Sequence, residues 1–216
     1  MTAHPALRIT RDEHGAVFAV MRFIDMRLSD HRRHATPMDF TVLQAMLFYV
    51  NEFLENVHHR KESELLFPKL RERSTELVSV LDRLEEDHAR SHDAVRELEQ
   101  ELLALEIATG VPNDPSRLAR FERLTTQYIA SYLEHTYMEE SLVLPMAERV
   151  LTTVDWAELD AAYLLDSDRL MECHADDTYH PLFNRILMSV SPPGLGRALE
   201  AIRVSYAGAH TWPTAP

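Results

Sequence analysis

The chain has little of what would point away from a helical protein. Among its 216 residues are only five glycines, and strongly alternating β-type runs are missing. One cysteine, Cys173, leaves no intrachain disulfide to form, which fits a reducing compartment. No stretch of about 18 apolar residues exists, so no membrane span is expected. The first residues, MTAHPALRITRDEH, lack the apolar core of a secretory signal, and a cytoplasmic protein is expected. Positive charge is also scarce. A net charge of −13 leaves no overall basic surface for phosphates and argues against a nucleic-acid partner.

What the chain has in excess is histidine, with twelve. Apolar residues at 45% and charged residues at 26% are otherwise ordinary for a globular protein.

Helical periodicity organises the first 150 residues into four long rods. The first spans about Ile9–Ser29, with Val17, Phe18, Met21, Ile24 and Leu28 on one face, and SDHRRHAT breaks the pattern. Thr36-Pro37 is read as the cap and first position of the second helix, which runs to about Phe67 with a kink or stop at Pro68. Ser74 or Thr75 caps a third helix that ends at Thr109-Gly110-Val111-Pro112. Asp114-Pro115 opens a fourth, whose inward stripe reads Leu118, Phe121, Thr125, Tyr128, Tyr132, His135, Glu139, Leu142, Met146. Short connections make an all-α, up-down-up-down four-helix bundle the simplest fold. We divide the chain into a bundle over residues 8–150 and a C-terminal helical extension and tail over 151–216. In the extension, Asp155 to about Leu170 reads as helix. A shorter helix over Pro181–Val190 stops at Ser191-Pro192-Pro193-Gly194. No internal repeat or low-complexity tract stands out.

Five histidines fall on the apolar faces of the rods: His14, His58, His88, His92 and His135. Glu62 and Glu139 accompany them. The pairs His58/Glu62, His88/His92 and His135/Glu139 are each four residues apart, about 40° of rotation and about 6 Å of rise, so both members face the same way. Counting from each turn places all seven at a common height, with mismatches of about 5–9 Å at roughly 1.5 Å per residue. A single histidine on an apolar face is usually a core residue bonded to backbone. Five of them beside two buried carboxylates need more, because an unpaired buried charge is costly and a dication removes that cost. Imidazole and carboxylate without thiolate suit iron, manganese or zinc. Seven ligands exceed one tetrahedral zinc and suit two six-coordinate ions bridged by carboxylates.

Other residues rank lower. Glu140 lies about 100° from Glu139, and His59 about 100° from His58, which suggests surface or supporting roles. His31 and His34 fall in a connection. Cys173-His174 and His180 form a weak second metal pattern. Residues 155–190 are expected to pack across the bundle or to join two copies as a homodimer.

The ordered set Asp12-Glu13-His14, His58-His59-Arg60-Lys61-Glu62 with Leu65-Leu66-Phe67-Pro68, His88-x3-His92, and His135-x3-Glu139-Glu140 with Leu144-Pro145 resembles the hemerythrin-like HHE cation-binding family over about residues 8–150. The resemblance implies a non-haem di-iron centre, two iron ions bridged by Glu62 and Glu139, with manganese or zinc as substitutes. It assigns His88, His92 and His135 to one iron, and His14 and His58 to the other. The second iron keeps a vacancy for dioxygen, peroxide or nitric oxide. Oxygen-carrying members have His-x4-Asp on the fourth helix where this chain has His-x3-Glu, a longer carboxylate that weighs against reversible carriage. Tyr128 and Tyr132 precede His135 on the same face and could donate hydrogen bonds or a proton to a bound ligand, unless they are simply aromatic core residues. Three functions follow as expectations: a binding or sensing protein, a di-iron redox enzyme, or a metal-free helical interaction protein.

Overall fold

The computed structural model describes residues 4–108 and 115–173. Every element in that range is helical: α1 (Pro5–His34), α2 (Phe40–Tyr49), a π-helical stretch Val50–His58, α3 (His59–Lys61), a π-helical turn Glu62–Leu66, α4 (Phe67–Arg73), α5 (Val78–Ala108), α6 (Pro115–Met138), a π-helical turn Glu139–Val143, α7 (Leu144–Val150) and α8 (Thr153–Cys173). The segments from α2 to α4 form one rod, and those from α6 to α7 another. The breaks expected at Thr109–Pro112 and Asp114, the helix Pro181–Val190 with its stop, and the side chains of the Cys173-His174 and His180 pattern lie outside the described residues.

Two apolar cores establish the rod directions. One gathers Val17 to Leu28, Leu43 to Leu54, Val95 to Leu105 and Phe121 to Tyr132. The other gathers Ala6 to Ile9, Leu66 to Leu70, Leu81 with Leu84, Val143 to Leu151, and Trp156, Leu159 and Tyr163 of α8. The first and third rods run from the second core to the first, and the second and fourth run back. That is the expected up-down-up-down bundle. In every rod the histidines and glutamates fall between the two cores, so a polar layer separates them.

Helix boundaries differ from expectation where tertiary partners act. Pro5 sits in the first turn of α1, and Asp160 of α8 accepts the Ala6 N–H at 2.9 Å, supplying a cap from far along the chain. At the other end, Asp-His-Arg-Arg-His continues the helix instead of breaking it. His31, Arg32, Arg33 and His34 fill the last turn, where cations complement the helix dipole. The left-handed Ala35 (φ 51°) then stops it, and His31 Nδ1 lies 2.8 Å from the Thr36 carbonyl. The cap of α2 is Asp39 and not Thr36: its carboxylate accepts the Val42 N–H at 3.1 Å. Asp39→Ala should therefore lower stability by about 1 kcal/mol, read in chemical denaturation, with metal content unchanged.

Pro68 neither ends nor sharply breaks its rod. Phe67 N–H bonds Glu62 O, five residues back, and in the fourth rod Leu144 N–H bonds Glu139 O in the same way before Pro145. One extra residue in the turn carries the proline ring clear of the preceding carbonyls, and the missing N–H costs little there. The two rods thus carry a repeat that composition and periodicity did not bring out: His58-x3-Glu62-x5-Pro68 and His135-x3-Glu139-x5-Pro145.

The extension begins with α8, which packs on α1 and closes the second core. Thr152 and Asp155 cap its start reciprocally: Asp155 Oδ2 accepts the Thr152 N–H at 2.9 Å, and Thr152 Oγ1 accepts the Asp155 N–H at 3.2 Å. Arg73 clamps Asp155 with two bonds of 2.9 Å, tying α8 to the end of α4. His4 stacks on Trp156 with ring centroids 3.9 Å apart. No helix among the described residues is long and apolar enough to cross a membrane.

Candidate metal centre

The polar layer brings together His14 from α1, His58 and Glu62 from the second rod, His88 from α5, and His135 and Glu139 from the fourth rod. All are buried, Glu62 and Glu139 to 1% exposure. Their ligand atoms fall into two overlapping groups, each within 4.8 Å: His14, His58, Glu62 and Glu139, and then Glu62, His88, His135 and Glu139. The carboxylates belong to both. Glu62 reaches His58 Nε2 at 3.4 Å with one oxygen and His88 Nε2 at 3.5 Å with the other. Glu139 reaches His14 Nε2 at 3.1 Å and His135 Nε2 at 3.2 Å. Each therefore spans the two halves.

The residues fit a pair of cations. His14 Nε2 lies 3.1 Å from His58 Nε2, and His88 Nε2 lies 3.2 Å from His135 Nε2. Two nitrogens about 2.1 Å from one ion at a right angle would be about 3.0 Å apart. Both oxygens of Glu62 are buried without a hydrogen-bond partner among the described residues. An unsatisfied buried carboxylate is costly, and ion coordination relieves it.

Three of the four imidazoles, those of His14, His58 and His88, are held from behind, as metal-ligating histidines usually are. His14 Nδ1 meets Glu140 Oε1 at 3.0 Å, His58 Nδ1 meets Glu13 Oε2 at 2.7 Å, and His88 Nδ1 meets Ser63 Oγ at 2.9 Å. Asp87 lies 3.9 Å from His135 Nδ1. The buried Lys61 bonds the other oxygen of Glu13 and places its ammonium 4.7 Å from the centre of the Tyr163 ring. Lys61 thereby links α8 to the residue that orients His58. Glu140, ranked low from the sequence, acts here as an orienting group. Glu13 and Lys61 were visible only as parts of motifs, and Ser63 and Asp87 carried no signal, because their partners lie on other helices.

Two histidines exchange places relative to expectation. His92 is half-buried and stands outside the clustered ligand atoms among the described residues, because one turn of regular helix in α5 lifts it away from His88. His59 is buried instead, its ring stacked on His88 at 3.9 Å and 14°, and it groups with His88 and His135 within 4.8 Å. The 100° separation from His58 assumed a regular α-helix. The π-helical stretch ending at His58, with His59 N–H bonded to Leu54 O, turns less per residue and brings both rings inward. Tyr132 spends its hydroxyl on the His14 carbonyl at 3.0 Å, so it ties α1 to α6. Tyr128 OH pairs with Ser91 Oγ at 3.2 Å.

The charges are mutually adjusted. Burial alone would lower His14, but Glu139 and Glu140 outweigh it and raise His14 to about 9. Burial is likewise outweighed at His135 by Glu139 and Asp87, which raise it to about 10. Glu139 goes well below the usual carboxylate range, its burial overcome by His135 and His14. Burial and the neighbouring His88, His58 and His135 hold His59 well below the ordinary imidazole value. Protons on His14 and His135 thus balance the carboxylates that a cation would otherwise balance.

A buried layer of imidazoles and bridging carboxylates in an antiparallel bundle defines a cation-binding helical protein. The family model of the hemerythrin HHE cation binding domain matches residues 6–147, and the chain belongs to that family. The comparison with curated proteins gave no match.

Proposed function

We propose that the chain is a non-haem di-iron protein that binds or senses dioxygen or iron through this site. Its ions would be held by His14, His58, Glu62 and Glu139 on one side, and by Glu62, His88, His135 and Glu139 on the other. The observation that carries this reading is the reach of each carboxylate to histidines of both halves. Imidazole and carboxylate donors favour iron while admitting manganese or zinc. Bound iron supplies the capacity to take up a small ligand such as dioxygen, peroxide or nitric oxide.

A cavity of about 220 Å³ between α5 and α6 supports a small ligand. It runs from the exposed Arg90 and Gln127 to His59 and His135, and Tyr128 and Ser91 line it. A diatomic or peroxide fits that route, and a large substrate does not. The test is metal analysis after aerobic purification with added iron. Two irons per chain are expected, and less than about one would contradict a carboxylate-bridged pair of ions.

A second reading is a di-iron redox enzyme acting on peroxide, nitric oxide or ferrous iron. It is favoured by Glu55, which burial pushes up to about 7 against the opposing pull of Ser91 and His135. Glu55 bonds Ser91 Oγ at 2.6 Å and His59 Nδ1 at 3.0 Å, so a carboxyl able to give or take a proton near neutrality joins the cavity wall to the centre. Stopped-flow mixing of the diferrous protein with oxygen separates the two. A stable absorption band that reverses under vacuum supports binding, whereas rapid decay with turnover of peroxide supports an enzyme. A homodimer through the extension and a cytoplasmic setting remain proposals consistent with this reading.

A further inference from the structure

We propose that His59 is a metal ligand, the third imidazole of the ion held by His88 and His135. This assignment rests on the two-ion reading above and makes the two ions unlike.

His59 Nε2 is buried without a hydrogen-bond partner among the described residues. Its other nitrogen faces Glu55 Oε2 at 3.0 Å, and Ser91 Oγ donates to Glu55 Oε1 at 2.6 Å. When Nδ1 carries the hydrogen and donates it to Glu55, Nε2 presents a bare lone pair. Leaving that lone pair unpaired in the interior would be unfavourable, and the grouped nitrogens of His88 and His135 present lone pairs of their own once they ligate. A cation satisfies all three.

The placement is specific to one half. His59 groups with His88 and His135 but not with Glu62 and Glu139, so it sits on the imidazole side of that half. That side is where the cavity ends. The repeat places Thr136 of the fourth rod at the position matching His59, and its hydroxyl bonds back to the Tyr132 carbonyl at 3.0 Å. No imidazole is offered by that residue. Coordination by Nε2 would then give one ion three imidazoles and the other two.

The experiment loads the full chain and its His59→Ala, His59→Gln and His92→Ala variants with iron-57. It then records iron per chain, the rate of iron loss to a chelator, and the Mössbauer spectrum. Far-ultraviolet circular dichroism and metal-free melting check that each variant folds, and His59→Gln keeps bulk on the His88 ring should the alanine variant not fold. In the wild type, two irons with distinct signals are expected. Both His59 variants should change one signal only and speed the loss of one iron at least ~10-fold, whereas His92→Ala leaves both signals alone. Two irons in the wild type with both signals unmoved in the His59 variants would overturn this assignment alone. So would a one-iron loss in His92→Ala with His59 silent. A wild type that takes up no iron would overturn the two-ion reading beneath it.

Discussion

Glu62→Ala is expected to empty the centre. Its two oxygens face His58 on one side and His88 on the other, at 3.4 and 3.5 Å, so in the proposed two-ion site one truncation would remove a ligand from each ion at once. Orienting groups behind a ligand typically cost about 10–100-fold in affinity when removed, and a shared ligand should cost at least ~100-fold per ion. At saturating metal a 100-fold weaker ion gives up about 2.7 kcal/mol of linked stability. The loaded variant should therefore melt well below the loaded wild type. The metal-free proteins should differ much less, since both Glu62 oxygens are unpartnered among the described residues, and alanine removes that burden. The diagnostic quantity is the gap between loaded and metal-free melting temperatures. It should be wide in the wild type and nearly closed in the variant. An unchanged gap with two irons still bound would show that Glu62 does not bridge.

Much of this architecture was legible because local rules and the global fold agree. The spacing of Val17, Met21, Ile24 and Leu28, and of Phe121, Thr125, Tyr128 and Tyr132, marked inward faces that do enter one core. The common height of His14, His58, Glu62, His88, His135 and Glu139 followed from counting residues to each turn, since a helix rises uniformly. The failures occurred where that uniformity ended. Pro68 and Pro145 are accommodated by π-helical turns, and the stretch before His58 rotates both His58 and His59 inward. A fixed 100° step cannot register either. His92 is a different case: α5 is regular, but the turn that separates His92 from His88 carries it out of the clustered ligand atoms, and the third imidazole near His88 and His135 comes from a different rod. Partners distant in sequence were equally hidden: Asp160 capping α1, Arg73 clamping Asp155, and Glu13 holding His58.

Metal loading near pH 7 should release about two protons per chain from His14 and His135. In the metal-free protein the carboxylates around these imidazoles raise them to about 9 and about 10, so both carry a proton at neutrality. A ligating nitrogen must be bare, and cations entering the centre displace both. His59, held neutral by burial, contributes none. Titrating metal into weakly buffered protein with a pH dye measures the release, and fewer than about one proton would contradict the charge balance described here. The stability of the metal-free form follows the same groups. Because the folded values lie above the ordinary imidazole value of about 6.5, the stabilisation is complete below it and is lost as pH rises through about 9 to 10. Metal-free protein should therefore melt at progressively lower temperature between pH 7 and 10. The loaded protein, with no protons on these nitrogens to lose, should hold its melting temperature across that window and weaken instead in acid, where protons compete with the ions for the same nitrogens.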